Sequence, residues 1–274
     1  MDYFSTAKPQ TGYQQIFAIG EKTPYTGFAL LSLDAKGKYS GSTDSAEVAL
    51  VILSGKCTIT VDGKVYENLG QRKDVFAGPS TTVYVPIQSS YSVAESQGLP
   101  VSVAVLEATA TKKYASFVVK PEEVVLNHRG VLNYQRDVHD ILTTNAEGKV
   151  DRIVVGETFT VPGHWSSYPS HKHDTQNMPY ETKMDEIYHF KVKPTEGFGV
   201  QVLYSDDLSL REAHMIKDGD SMALPEGYHP VVAAPGFQVY YLWVMAGPYS
   251  RELTPCDDPK LAWIANIAPM LNGR

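Results

Sequence analysis

The chain is punctuated rather than periodic. Its apolar runs are short, rich in Val, Ile, Leu and Tyr, and closed within a few residues by Gly, Pro, Asp or Asn. Such runs read as strands, because β-branched and aromatic side chains fit a pleated surface. Residues 28–33, 47–53, 57–61, 83–85 and 101–106 form a first set, and residues 152–155, 199–204, 221–224 and 239–244 a second. Asp62-Gly63, between Thr-Val and Lys-Val-Tyr, reads as a hairpin turn. Helical signals are confined to one or two turns at 121–124 and 258–265, the latter with Asp258 as a cap ahead of Pro259. Short strands at regular spacing predict an all-β chain built from sandwiches or barrels.

A faint internal repeat divides the chain. Val83-Tyr-Val-Pro86-Ile-Gln-Ser-Ser90 resembles Met222-Ala-Leu-Pro225-Glu-Gly-Tyr-His229, with Ser90 where the second copy has His229. With 274 residues, 43% of them hydrophobic, two modest cores can be buried. The expected organisation is two barrels, residues 1–128 and 129–274, joined near 127–139. The first histidine is His128, so the first copy is expected to bind no metal.

The second copy carries the chemistry. His171 and His173 lie two apart on what reads as a strand, which puts both on one face and Lys172 on the other. Glu186 opens a further strand, and His229 follows the turn Pro225-Glu-Gly-Tyr. Three imidazoles and a carboxylate suit a divalent first-row transition metal, with zinc, manganese, iron, cobalt and nickel all compatible. A single histidine of this kind would more simply be a hydrogen-bonded residue of a half-buried sheet; it is the four together, at this spacing, that point to a metal.

Several function classes are set aside. The net charge of −7, without a basic run, argues against nucleic acid. An anionic substrate would therefore need local Arg or Lys. Cys57 and Cys256 are far apart and form no redox or metal motif, which fits a reducing, cytoplasmic setting. The first residues show no signal-peptide pattern and no apolar run is long enough to span a bilayer, so no membrane partner is expected. Phosphate-binding glycine loops and Ser-His-Asp or Cys nucleophile signatures are missing as well.

Gly219-Asp-Ser-Met-Ala-Leu-Pro225-Glu-Gly227-Tyr-His229 resembles the second cupin motif, with one residue rather than two between the glycine and the histidine. His171-x-His173 followed by Glu186 resembles the first motif, but with about a dozen residues where cupins usually have a few. Together with Trp165-Ser-Ser-Tyr-Pro-Ser, Glu181, Asp185, Gly197-Phe-Gly, Pro235-Gly and Tyr240-Tyr-Leu-Trp-Val-Met-Ala-Gly247, these segments resemble the 5-deoxy-glucuronate isomerases of myo-inositol catabolism. His164 and Trp243 depart from that pattern, which more often has a small polar residue there.

The resemblance implies a two-domain bicupin of jelly-roll barrels and an aldose–ketose isomerase. It would convert 5-deoxy-D-glucuronate to 5-dehydro-2-deoxy-D-gluconate through a metal-stabilised enediolate. The alternatives are a 4-deoxy-5-keto uronate isomerase, whose Glu lies much closer to the His pair, a metal-dependent cupin dioxygenase, and a non-catalytic sugar-binding bicupin. A small deoxyuronate is the expected partner, and a homo-oligomer is left open. Glu181 and Asp185, in the long insertion, are the expected bases, with Asp174 a candidate to orient a ligand imidazole. Arg251 and Arg136 are candidates for the substrate carboxylate. Gln201, Tyr188, Tyr240 and Tyr241 are candidates for the sugar hydroxyls, with aromatic core filling as the competing reading. His189 and His214 read as structural or exposed.

Overall fold

The computed structural model describes residues 3–271, and the regular structure over these is nearly all strand. Two large antiparallel sheets dominate. A six-stranded sheet runs, edge to edge, through Phe117–Val119, Thr82–Val85, Ala46–Ser54, Val101–Thr109, Thr26–Leu33 and Gly12–Phe17. A seven-stranded sheet runs through Phe4–Thr6, Asp220–Leu224, Asp185–Lys193, Gln238–Ala246, Val154–Thr160, Arg136–Leu142 and Val125–Arg129. Each has a four-stranded companion, built from Lys38–Ser42, Ser90–Glu95, Cys57–Val61 and Lys64–Leu69 in the first case. In the second it is built from Trp165–Ser166, Val231–Ala233, Gly199–Tyr204 and Arg211–Ile216. Each sheet ends in an unpaired edge strand on both sides, so none of them is a closed barrel.

The pleat explains the unbroken apolar run at 47–53. Val48, Leu50 and Ile52 enter a core between the six-stranded sheet and its companion, while Ala49, Val51 and Leu53 enter the core shared with the seven-stranded sheet. A strand covered on both faces needs no polar alternation. Polar ties join the two halves across that second core. Buried Glu47 accepts from Tyr84 Oη (2.6 Å) and from the backbone N–H groups of Ile153 (2.7 Å) and Asp151 (3.0 Å). Buried Arg72 pairs with Glu157 at 2.6 Å.

Three expectations change. Residues 127–139 do not form a free linker: Val125–Arg129 and Arg136–Leu142 are a hairpin of the seven-stranded sheet, so the expected boundary at 128/129 falls inside a strand. Phe4–Thr6 crosses to the same sheet and pairs with Asp220–Met222. Asp258 caps a turn through Lys260 N (2.9 Å), and the helix begins later, at Ala262–Leu271. Residues 121–124 yield only the short turn Pro121–Glu123. Among the described residues no helix is long and apolar enough to cross a membrane.

Candidate active site

Three segments converge on a cavity in the second half. His171 pairs with Asp257 through a two-residue strand, and His173 follows it. Glu186 sits near the start of Asp185–Lys193, in register with Leu224 and Met245. His229 is delivered by the turn after Leu224, in which Gly227 takes φ 86°, a conformation glycine adopts without strain. Lys172 points away from the histidines, as expected, and donates to Asp174 (2.7 Å) and Glu181 (3.2 Å).

Backbone carbonyls fix two of the imidazoles. His173 Nδ1 lies 2.9 Å from Met184 O, and His229 Nδ1 lies 2.8 Å from Gly227 O. A carbonyl only accepts, so each Nδ1 carries the proton and each Nε2 presents a lone pair. Both Nε2 atoms face Glu186 Oε2, at 3.2 and 3.3 Å. His229 Nε2 is buried without an aligned hydrogen-bond partner. The donor atoms of His173, Glu186 and His229 all lie within 4.8 Å of one another. Three acceptors crowded this closely call for a cation, and the set suits a transition metal. His171 completes the ring cluster, its centroid 5.0 Å from that of His229.

The pull of the cluster on a cation also shows in its titration: burial would raise the Glu186 carboxyl, but hydrogen bonds and charge from the imidazoles of His173 and His229 hold it at about 2, and the same contact raises His173 against its own burial. Burial, then the neighbouring His229 and His173, pushes the His171 imidazole well below its ordinary value. His171 therefore stays neutral, the state in which an imidazole can ligate.

The cavity also carries two cations. Arg129 and Arg136 are directly paired on neighbouring strands and both line it. Arg136 donates to Tyr168 O (3.0 Å) and Tyr134 O (3.2 Å), and among the described residues neither guanidinium has an ion-pair partner. Burial disfavours the charge on Arg136, and Arg129 adds to that, so an anion placed between the two would relieve both. Hydroxyls line it as well: Ser167 Oγ is 3.3 Å from Tyr188 Oη and 3.2 Å from Tyr241 Oη. Burial raises both phenols, so they remain protonated donors at neutral pH.

Of the expected residues, His171, His173, Glu186, Tyr188, Tyr241 and Arg136 line this cavity, and His229 joins its ligand cluster. The others do not. Glu181 is taken up by Lys172 and by the backbone N–H groups of Asp174 (2.8 Å) and Thr175 (2.9 Å). Asp185 accepts from Tyr25 N (2.7 Å) and Thr26 Oγ1 (2.6 Å), tying the first half to the ligand strand. Arg251 is spent on the carbonyls of Leu142 and Thr143 and on Glu147. Gln201 holds the backbone carbonyls of His229 and Pro230, and Tyr240 donates to Glu157 on the other face of the sheet. Asp174 orients a ligand through the backbone rather than through an imidazole: its Oδ2 accepts from Gly227 N at 2.9 Å. His189 is structural, bonded to Ser221 Oγ at 3.0 Å. The cavity residues to which the sequence assigned no role are Arg129, Ser167, Thr158 and Trp243. Two left a signal: Trp243 departs from the pattern of the family the sequence resembles, and a turn at Gly130 in a hairpin puts Arg129 beside Arg136.

A buried His/Glu cluster and paired arginines in one hydroxyl-lined cavity, on an antiparallel β scaffold, define an enzyme class that handles a small anionic, oxygen-rich substrate beside a candidate metal. The chain belongs to the KduI/IolB family, which matches residues 4–264. It is 40% identical over 242 residues to a 5-deoxy-glucuronate isomerase of Geobacillus kaustophilus, covering 88% of this chain and 86% of that one. It is 33% identical over 241 residues to the 5-deoxy-glucuronate isomerase of Bacillus subtilis, covering 88% of each. The crystal structure of an IolB-like protein from Salmonella typhimurium superposes with a TM-score of 0.91 at 32% identity, over 97% of this chain and 100% of that one. An oxalate decarboxylase from Lactobacillus farciminis shares the fold, with a TM-score of 0.65 at 9% identity over 97% of this chain and 90% of that one.

Proposed function

We propose that the chain is a metal-dependent isomerase that converts 5-deoxy-D-glucuronate to 5-dehydro-2-deoxy-D-gluconate, in the cytoplasm, as a step of myo-inositol catabolism. The observation that carries this reading is the cavity itself, which brings together metal-type ligands, two arginines without an ion-pair partner among the described residues, and hydroxyl donors. Family membership and the names of the relatives support the same substrate. The free cysteines Cys57 and Cys256 fit a reducing compartment. We also propose that the two halves, 1–128 and 129–274, are cupin-type jelly rolls, with Phe4–Thr6 lent to the second.

His171, His173, Glu186 and His229 would hold the metal, zinc first and manganese, iron, cobalt or nickel as alternatives, and once bound it supplies a Lewis acid for neighbouring carbonyl and hydroxyl oxygens. The protein's own groups do the rest. Arg136 and Arg129 grip the substrate carboxylate, which sets the aldehyde end against the ligand cluster. Tyr188, Tyr241 and Ser167 donate to the hydroxyls and to the oxygens that become an enediolate. A water in the cavity takes the proton from the hydroxyl-bearing carbon, whose bonding pair forms the carbon–carbon double bond of the enediolate as the aldehyde π pair moves onto its oxygen; a proton is then returned to the former aldehyde carbon while the neighbouring hydroxyl gives up its own and becomes the ketone, so that protons and electrons balance. No electron donor or acceptor is needed.

The test is NMR of purified protein with 5-deoxy-D-glucuronate in deuterated water, before and after chelation, beside metal analysis. Metal-dependent appearance of the ketose is the expected result. Turnover confined to a 4-deoxy-5-keto uronate, or oxygen uptake without isomerisation, would replace this reading.

A further inference from the structure

Trp243 lies in the floor of the cavity, and nothing above assigns it a role. Its indole crosses the neighbouring strand over Gly156, where a Cβ would come within 2.2 Å of the ring. Only glycine at 156 lets the ring lie flat against the sheet. The indole N–H is already occupied, because it donates at 3.1 Å to Oγ1 of Thr158, which lines the cavity beside it. That bond occupies the Trp243 donor, and Thr158 is the acceptor. The ring is buried, with 7% exposure. Val138 and Met245 continue the apolar surface on either side of it. The cavity therefore has two unlike walls: hydroxyls on Tyr188, Tyr241 and Ser167, and an apolar face of Trp243, Val138 and Met245 whose neighbouring hydroxyl, on Thr158, is occupied by the indole N–H.

We propose that Trp243 is a specificity-determining residue that selects uronates lacking a hydroxyl on the carbon beside the carboxylate. The inference rests on the isomerase reading for its substrate class. A carboxylate held by Arg136 and Arg129 has its adjacent carbon next to Val138, two residues along the same strand as Arg136, and next to the indole reaching across Gly156. A methylene there meets a matching apolar surface. A hydroxyl there loses water and gains no partner, since the indole N–H is already bonded to Thr158. An apolar wall discriminates against one added hydroxyl by about 10²-fold.

The experiment compares 5-deoxy-D-glucuronate with D-glucuronate, which carries the extra hydroxyl, in wild type and in Trp243→Phe, Trp243→Asn and Thr158→Val. Both kcat/KM and the Kd from calorimetry are read. The wild type should prefer the deoxy sugar by about 10²-fold, and Trp243→Phe should keep that ratio. Trp243→Asn should lower it at least about tenfold, by placing an amide on the wall. Thr158→Val frees the indole N–H toward the cavity and should lower it in the same direction, which keeps the test open if Trp243→Asn fails to fold. A ratio unchanged in Trp243→Asn and Thr158→Val, or lowered as much in Trp243→Phe as in Trp243→Asn, overturns the proposal. If the wild type turns over neither sugar but binds the deoxy one more tightly, with the same pattern among variants, the isomerase reading fails and the wall stands. Equal binding of both sugars by the wild type overturns the wall alone.

Discussion

Asp174 is not expected to touch substrate or metal, yet replacing it with Ala should weaken metal binding. Its carboxylate links two loops that each deliver a ligand. Oδ1 accepts from Lys172 Nζ (2.7 Å) and Thr175 Oγ1 (2.8 Å), beside His173, and Oδ2 accepts from Gly227 N (2.9 Å), two residues before His229. Burial would raise this carboxyl, but Lys172 and the Gly227 N–H override it and keep it ionised. A hydrogen bond to a charged group contributes about 1.5–3 kcal/mol. The side chain is 21% exposed, so solvent screening brings the expected loss to about 1–2 kcal/mol. Loss of an outer partner of a metal site typically costs 10–100-fold in affinity, and about tenfold is the corresponding expectation here. Competition against a chromophoric chelator reads that affinity directly, and urea unfolding reads the stability. Asp174→Asn keeps an oxygen for the Gly227 N–H and should recover most of the affinity. Wild-type metal affinity in Asp174→Ala would refute the argument, and an Asn variant as poor as Ala would show that charge, not the bond to Gly227, is what matters.

Arg136→Leu should raise KM for 5-deoxy-D-glucuronate by roughly 10–100-fold, the worth of a charge-assisted carboxylate contact; steady-state kinetics check this, with Arg251→Leu as the contrast that lowers thermal stability but leaves KM near wild type. Glu181→Gln should keep metal and lose only a few-fold in kcat, whereas a loss of about 10²–10⁴-fold would restore it as the catalytic base. His189 is held at about 3 by burial and, secondarily, by Lys191. The unfolded chain therefore binds a proton there that the folded chain does not, between its ordinary pKa and about 3. Stability should fall as pH drops through that window, by about 1.4 kcal/mol per unit from this group. His189→Asn, compared with wild type by urea unfolding at pH 7 and pH 5, should lose less stability over that interval.

The His/Glu cluster was legible because its information is local. His171 and His173 alternate along one segment, and Pro225-x-Gly227 fixes the approach of His229, so neighbouring residues sufficed. Apolar alternation likewise marked the buried strands. Glu181, Asp185 and Arg251 misled because a carboxylate or guanidinium near the ligands looks available until its partners are known, and those partners are not readable from spacing. Lys172 neutralises Glu181, Tyr25 and Thr26 reach Asp185 from some 160 positions away, and Arg251 fills carbonyls more than a hundred residues earlier. The hairpin Val125–Arg129 with Arg136–Leu142 was hidden for a related reason: it lies at a sheet edge, where polar side chains face water and the apolar signal thins.

The strand Phe4–Thr6 has a consequence for how the chain is made. Its partner, Asp220–Leu224, lies far down the sequence, with 214 positions between bonded Thr6 and Asp220. At ordinary ribosomal speeds the first strand leaves the tunnel roughly 10–40 s before its partner exists. The leading segment must stay unpaired through that interval, and the second half, however well its own residues fold, presents a bare edge along Asp220–Leu224 until it is captured. A fragment beginning at the middle of the chain would keep that edge permanently open, next to the turn that carries His229. Such a fragment should self-associate through it, and the intact polypeptide escapes this only by bringing its beginning back to its end.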